Sequence, residues 1–309
     1  MLQAIFILAV SLFLVIKSAT WATRCALRLA ESFNLSKYVV GFIIVAIISI
    51  LPETFIGINS ALAGIPSFGL GTLLGSNVAD LTLVFAIIIF LAGRGIKIES
   101  KILNNNIVYP FLLLLPLILG FDGYYSRLEG LALIVIGLIF YYQAFKKGGR
   151  RSVPNMNGDG RLKNLLLLLA SMAVLLISAH FTVTSATDLA HLLYINPILI
   201  GMFIVGLGTT MPELFFSLNS VKQRNDSLAV GDILGTVLAD ATIVIGILAL
   251  ISPFAFAPKI IYVSGFFMVA AAFLLFYFMR TGKLLSKKES FMLLVFWLVF
   301  VIIELLTNN

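Results

Sequence analysis

Residues 41–84 recur as residues 201–244 with no gap and a constant offset of 160 positions. Identical pairs run from Gly41 and Gly201, through Pro52-Glu53 and Pro212-Glu213, to Asp80 and Asp240. A duplication of this kind commits both halves of the chain to one local geometry, so the fold must accommodate the same motif twice. In each copy two acids stand in otherwise apolar runs, where an ionised side chain is expensive and points to function. Two similar halves that each place carboxylates at depth read as a secondary transporter.

The 309-residue chain is 61% hydrophobic and 11% charged, which belongs to an integral membrane protein. Many of its apolar runs approach or exceed the roughly 20 residues a helix needs to cross a bilayer. A transmembrane barrel would instead show alternating segments of about 10 residues. The pattern predicts an all-α polytopic protein with ten spans, near 2–17, 38–62, 69–92, 106–120, 127–145, 164–187, 196–221, 227–251, 259–279 and 289–306. Ten spans leave no length for a large soluble domain. Met1 to Ile16 has no basic residue ahead of its apolar run, so no cleaved leader is expected. Cys25 is the single cysteine, which excludes an intrachain disulfide and a thiolate metal cluster. His180 and His191 are far apart in sequence and read as packing or helix-end residues.

The net charge of +7 is a topology signal and not a nucleic-acid footprint. Nineteen of the 21 basic residues fall in alternate loops, leaving Arg127 and Lys259 in the others. By the positive-inside rule the basic loops are cytoplasmic and both termini lie outside. The expected location is a prokaryotic cell membrane, with the lipid bilayer as the protein's surroundings and no obligatory protein partner evident.

Five spans precede the polar stretch 148–162 and five follow it. The expected organisation is a first five-helix repeat over 1–147, a cytoplasmic linker over 148–162 and a second five-helix repeat over 163–309. The duplicated segments 41–84 and 201–244 lie inside them. An odd number of spans per half inverts the second half relative to the first, with a binding site expected where the halves meet near the midplane. In the linker, Asn155, Asn157 and Asp159 imitate the start of a calcium loop. Position 12 of such a loop would be Leu166 instead of the bidentate Glu it needs, so a flexible linker is the better reading.

Four-residue spacing places Ser49 with Glu53, and Thr209 with Glu213, on one helical face. Pro52 and Pro212 immediately before the acids break the helix and are expected to free carbonyls about a turn earlier. In the following span Thr72, Ser76 and Asp80 align at steps of four, as do Asp232, Thr236 and Asp240 in the second copy. Gly71, Gly75, Gly231 and Gly235 beside these faces let helices approach closely. Carboxylates, hydroxyls and carbonyls are hard ligands, suited to Ca²⁺, Na⁺ or Mg²⁺. A flexible, broken-helix site fits Ca²⁺ better than octahedral Mg²⁺. Asn59 and Asn219, near span ends, read as helix–helix or capping residues; Asn77, opposite Val237 in the repeat, and Asp232 are possible accessory groups.

These segments are where a family resemblance lies. Leu51-Pro52-Glu53 followed by Gly71-x-x-x-Gly75-Ser76-Asn77, and Gly208-Thr209-Thr210-Met211-Pro212-Glu213 followed by Gly231-x-x-x-Gly235-Thr236, resemble the two α-repeats of the Ca²⁺/cation antiporter superfamily. Within it they are most similar to prokaryotic Na⁺/Ca²⁺ exchangers, and the likeness covers essentially the whole chain. The resemblance implies that Glu53 and Glu213 bind Ca²⁺ and Na⁺ in competition, joined by Asp80 and Asp240. It further implies hydroxyl ligands at Ser49, Ser76, Thr209, Thr210 and Thr236, and carbonyl ligands at Ala46 and Gly206. No cofactor is implied; the ions are cargo. The chain departs from the pattern at Ile50, which stands where a side-chain oxygen is expected, and in having Asp at both position 80 and position 240. Both departures bear on the counter-ion.

Four clustered carboxylates cannot all stay ionised out of water without cations. Ca²⁺ offsets two charges and Na⁺ or H⁺ the rest, which gives exchange by alternating access. H⁺/Ca²⁺ exchange is the neighbouring alternative. From another class, an intramembrane aspartyl protease using Asp80 and Asp240 would leave Glu53, Glu213 and the repeat unexplained, and a channel needs no duplicated pair of buried acids in one chain. The expectation is a transporter and not an enzyme.

Overall fold

The computed structural model describes residues 2–30, 40–99, 108–147 and 161–308. The expected linker falls mostly outside them, as do Lys37, Lys101, Arg150 and Arg151. Ten helical segments follow in chain order: α1 (Leu2–Ala30), α2 (Ala46–Leu62), α3 (Pro66–Ala92), α4 (Tyr109–Leu119), α5 (Arg127–Lys147), α6 (Arg161–Leu193), α7 (Pro197–Lys222), α8 (Asp226–Ile251), α9 (Ile261–Arg280) and α10 (Lys287–Asn308). Eight are long and apolar enough to cross a membrane on their own; α2 and α4 are shorter. In α2 the helix is interrupted at Ile50, just ahead of Pro52. In α4 it is interrupted between Leu112 and Leu115, where Pro116 follows. A proline that lacks its N–H restarts a helix more readily than it continues one. The span edges also move: α1 and α6 run to 29 and 33 residues, well past the expected 2–17 and 164–187.

Packing divides the helices into a core and a jacket. The most apolar stretches of α3 and α8 are 83% buried, while those of α1, α5 and α10 are only 22–28% buried. The jacket helices turn Phe6, Phe13, Leu138, Tyr142 and Ile302 outward, which suits a lipid surroundings. Contacts between the halves are reciprocal. The residues leading into and opening α2 pack on α8, and those of α7 on α3; α5 packs on α8, and α10 on α3. Glycines permit the crossings. A Cβ on Gly75 would stand 2.6 Å from the Met202 carbonyl oxygen, and one on Gly235 would strike the Phe42 carbonyl. Met202 and Phe42 are themselves counterparts at the offset of 160. Next to this core, α1 and α6 lie along each other, joined by a Thr182-to-Ser11 hydroxyl hydrogen bond of 3.0 Å.

Among the described residues, two small antiparallel sheets join loops between the helices. Ile96–Lys97 pairs with Leu284–Leu285, and Tyr124–Tyr125 with Phe254–Ala255. The first joins two loops of the basic set, and the second joins two loops of the other set. The pairing agrees with the alternation of charge along the chain. The repeat also continues beyond residue 84. Ser126 and Glu129 form a reciprocal cap at the start of α5, with N···O distances of 2.8 and 3.2 Å. Ser286 and Glu289 do the same for α10 at 2.7 and 3.4 Å. The S-x-x-E signal for such a capping box was there to be read at both places.

Candidate functional site

At the centre, the breaks in α2 and α7 bring two fresh helix starts into the apolar interior. Ile50 and Thr210 hold the turns, with ψ of −4° and −14°, and Leu51–Leu62 and Met211–Lys222 begin immediately after. Glu53 and Glu213 therefore sit in the first turn of a helix, where the positive end of the helix dipole favours an acid. Both prolines occupy starting positions of the new helices. The missing N–H of each would have served the carbonyl four residues earlier, at 48 or 208. The Ala46 carbonyl instead accepts from the Ile50 N–H at 3.0 Å. The Gly206 carbonyl accepts from the Thr210 N–H at 3.1 Å, the Thr210 hydroxyl at 2.7 Å and the Thr209 hydroxyl at 2.9 Å. A cation using either oxygen would share it with these donors. The expected freeing of carbonyls does not extend to Ala46 and Gly206.

A second device shapes α3 and α8. Each contains a wide π-helical turn that begins at an acid, over Asp80–Val84 and Asp240–Val244. Inside these turns the Thr82 and Thr242 hydroxyls donate to the Val78 and Leu238 carbonyls at 2.5 and 2.6 Å. A matching pair of wide turns, Val40–Val45 and Gly201–Val205, precedes the breaks in α2 and α7. Wide turns of this type recur at functional sites, because they rotate a side chain out of the α-helical series. No residue pattern in the sequence announced them.

Glu53, Asp80, Glu213 and Asp240 are buried, each at most 1% exposed. They lie within electrostatic reach of one another across the two halves. Most of their oxygens have no protein partner: Glu53 Oε2, Asp80 Oδ1, and both carboxylate oxygens of Glu213 and of Asp240. Thr236 Oγ1 and Asn77 Oδ1 are orphaned in the same way, while the Asn77 amide contacts the Met268 sulfur at 3.5 Å. Buried acceptors without donors are costly. Eight orphaned oxygens on six residues, all drawn from the expected ligand and accessory groups, make a cavity-like demand for positive charge. Among the described residues, no three His, Cys, Asp or Glu side chains already form a metal cluster. Binding would recruit hydroxyl or amide oxygens together with the acids.

The remaining expected groups divide. Thr209 faces Glu53 from the opposite repeat. Ser76 donates to the Leu73 carbonyl of its own helix at 3.1 Å. Ser49 does not turn toward its own helix: its hydroxyl donates to Asp232 Oδ1 at 3.0 Å, and Ser217 donates to Asp232 Oδ2 at 3.2 Å. Ser217 was not singled out from the sequence, because its counterpart is Gly57 and the repeat gave no hint of it. Asn59 bonds its own helix at the Phe55 carbonyl, 2.8 Å, and Asn219 accepts from Gln223 at 3.3 Å, so neither caps a helix or bridges to another. His180 lies against Phe181, and His191 is in the last turn of α6.

A helical membrane protein with duplicated, buried, charge-deficient oxygen groups at its centre belongs to the class of cation transporters. A model of the sodium/calcium exchanger protein family matches residues 3–146 and again 163–306, two stretches related by the same offset of 160. The chain belongs to that family, within the Ca²⁺/cation antiporter superfamily; it is a membrane cation antiporter and not an enzyme. It is 28% identical over 268 residues to "Inner membrane protein YrbG" of Escherichia coli, covering 82% of this chain and 81% of that protein. It is 24% identical over 342 residues to "Sodium/calcium exchanger MaX1" of Methanosarcina acetivorans, covering 96% and 97%. The solved structure of the sodium-calcium exchanger NCX_Mj soaked with 10 mM Na⁺ superposes with a TM-score of 0.73 at 22% identity, over 96% of this chain and 97% of that one. That likeness shows the fold.

Proposed function

We propose that this protein exchanges Ca²⁺ for Na⁺ by alternating access at the central carboxylate site. The observation that carries the reading is the set of orphaned, buried oxygens on Glu53, Asp80, Glu213 and Asp240, with Thr236 and Asn77 beside them. Hard oxygen donors of this kind take Ca²⁺ with six to eight ligands, and the broken helices provide the flexible geometry it tolerates. Ser49, Ser76, Thr209 and Thr210 supply hydroxyls and Ala46 and Gly206 shared carbonyls to complete the shells. The names of MaX1 and NCX_Mj as sodium/calcium exchangers support the choice of ions. All ten helical segments span the bilayer in two inverted five-helix repeats, with α2 and α4 crossing as interrupted helices. Both termini face outward and residues 148–162 face the cytoplasm of a prokaryotic cell, as the basic loops require.

Binding of either cargo neutralises the centre and allows the site to turn to the other face, whereas an empty, highly charged centre resists the change. ⁴⁵Ca²⁺ uptake into proteoliposomes under an outward Na⁺ gradient tests this directly. Uptake driven by the Na⁺ gradient and abolished when it is dissipated is the expected result. Uptake driven by a pH gradient alone would establish instead the second reading, H⁺/Ca²⁺ exchange. That reading draws on Ile50, buried at 7% exposure where an oxygen ligand would favour a small monovalent ion.

A further inference from the structure

Asp232 is completely buried and lies outside the four-acid centre, yet its charge reaches both Asp80 and Glu213. Its two oxygens are held by one hydroxyl from each half: Ser49 on α2 and Ser217 on α7. Ser49 precedes Glu53 by one helical turn, and Ser217 follows Glu213 by one turn. Both displacements point the same way, toward the loops that carry Arg94, Lys222 and Arg224. Asp232 itself lies six residues into α8 from Asp226, which pairs with Arg94 in that loop layer at 2.8 Å. One turn off the centre, on the basic-loop side only, a carboxylate thus ties together the two glutamate-bearing helices. The counterpart positions on the other side are Thr72, Thr209 and Gly57. There the Thr72 hydroxyl turns to the Phe68 carbonyl of its own helix, Thr209 donates to the Gly206 carbonyl and faces Glu53 instead of position 72, and Gly57 has no side chain to offer.

We infer that Asp232 is a positioning and specificity-determining residue that makes the two faces of the cation site inequivalent. By bridging Ser49 and Ser217 it fixes the spacing of the Glu53 and Glu213 helices where a cation passes between the centre and the basic-loop side. It also places a carboxyl group on that side of the centre, where the counterpart position holds Thr72. Among the described residues the ion pair on this side is Arg94–Asp226, and no described cation pairs with Asp232. A passing cation is the natural partner for a buried carboxylate held only by two neutral hydroxyls. The inference rests on the transport reading for its physiological meaning, but not for its test.

Asp232→Asn keeps the size of the side chain and removes the charge. In vesicles of defined orientation, the half-saturating cation concentration should rise about tenfold on the basic-loop side, the scale of one charge-assisted hydrogen bond, and change less than about twofold on the other. A Ser217→Ala variant, which keeps the acid and removes the α7 end of its bridge, should reproduce part of the same one-sided shift. Equal shifts on both faces, or none, would overturn the inference. A second measurement needs no transport. With Cys25 replaced by Ser, a Ser217→Cys protein should react from the basic-loop side faster with a cationic than with an anionic methanethiosulfonate. Adding Asp232→Asn should erase the preference. No charge preference, no reaction from either face, or reaction only from the opposite face counts against the role. If the unaltered protein moves no Ca²⁺ under a Na⁺ gradient, the ion assignment fails while the thiol experiment still decides the role of Asp232.

Discussion

In the second repeat the turn ahead of the glutamate is held by Thr210, whose hydroxyl closes onto the Gly206 carbonyl at 2.7 Å. In the first repeat the same place is taken by Ile50, packed into the apolar core. The contrast recurs around the centre: Ala46 against Gly206, Thr72 against Asp232, Asn77 against Val237, Gly57 against Ser217. What matches between the repeats is the acids, the prolines, the glycines at crossings and the wide turns. What differs is the groups around them: neutral oxygens, and one further acid, Asp232, that faces Thr72 in the comparison. Charge and backbone shape must be duplicated for the halves to meet at one site. The hydroxyls are free to differ, and they give each face of the site its own character.

The largest test of this comparison lies in what is duplicated. Glu53→Gln and Glu213→Gln should each cut exchange by more than about 100-fold, since substitutions merely behind a metal ligand already cost about 10–100-fold. The protein should remain folded and monodisperse in detergent. Near-normal flux in one of the two would break the equivalence of the halves.

Gly75→Ala and Gly235→Ala come next. Each added methyl meets backbone carbonyl oxygen of the opposite half, which cannot move aside as a side-chain tip can. Overpacking of this kind costs about 1–3 kcal/mol, more than the gain in helix propensity of up to about 1 kcal/mol. Both variants should lower the melting temperature in a thermal-unfolding assay by similar amounts. A loss confined to one would mean that the reciprocal crossings are not alike.

A smaller effect is expected where the repeats differ. Ile50→Ser restores an oxygen to the first repeat and should raise apparent Na⁺ affinity a few-fold, with Ca²⁺ affinity changing less. Flux measured across a grid of Na⁺ and Ca²⁺ concentrations reads both, and an unchanged Na⁺ response would remove Ile50 from the determinants of the coupling ion. The smallest concerns Tyr141, whose hydroxyl donates to the Gly235 carbonyl at 2.5 Å while the counterpart position is Val301. Tyr141→Phe should cost about 1 kcal/mol, seen as a small drop in melting temperature with exchange retained.

The acids, the prolines and the glycines were legible because each is a strong signal by itself: a charge in an apolar run, a missing N–H, a missing Cβ. Hydrophobic length pointed to a helix near each expected segment but could not tell an interrupted helix from a continuous one, as at Ile50 in α2 and Thr210 in α7. The long extensions of α1 and α6 were invisible because amphipathic ends outside the apolar window carry no length signal. Ser217 escaped for a different reason. A search guided by repetition finds what the halves share, and Ser217 belongs to what they do not.

The wide turns at Asp80 and Asp240 also fix how the two halves correspond. Each holds one residue more than an α-helical turn would, so an insertion made in one half alone would have lengthened the offset beyond that point. The offset of 160 is unchanged from Gly41 to the capping boxes at Ser126 and Ser286. The extra residue of each wide turn thus stands at the same place in both halves. Because α3 finds its covering in α7 and α10, and α8 in α2 and α5, each half's acids are buried by the other half and neither half closes its own part of the site.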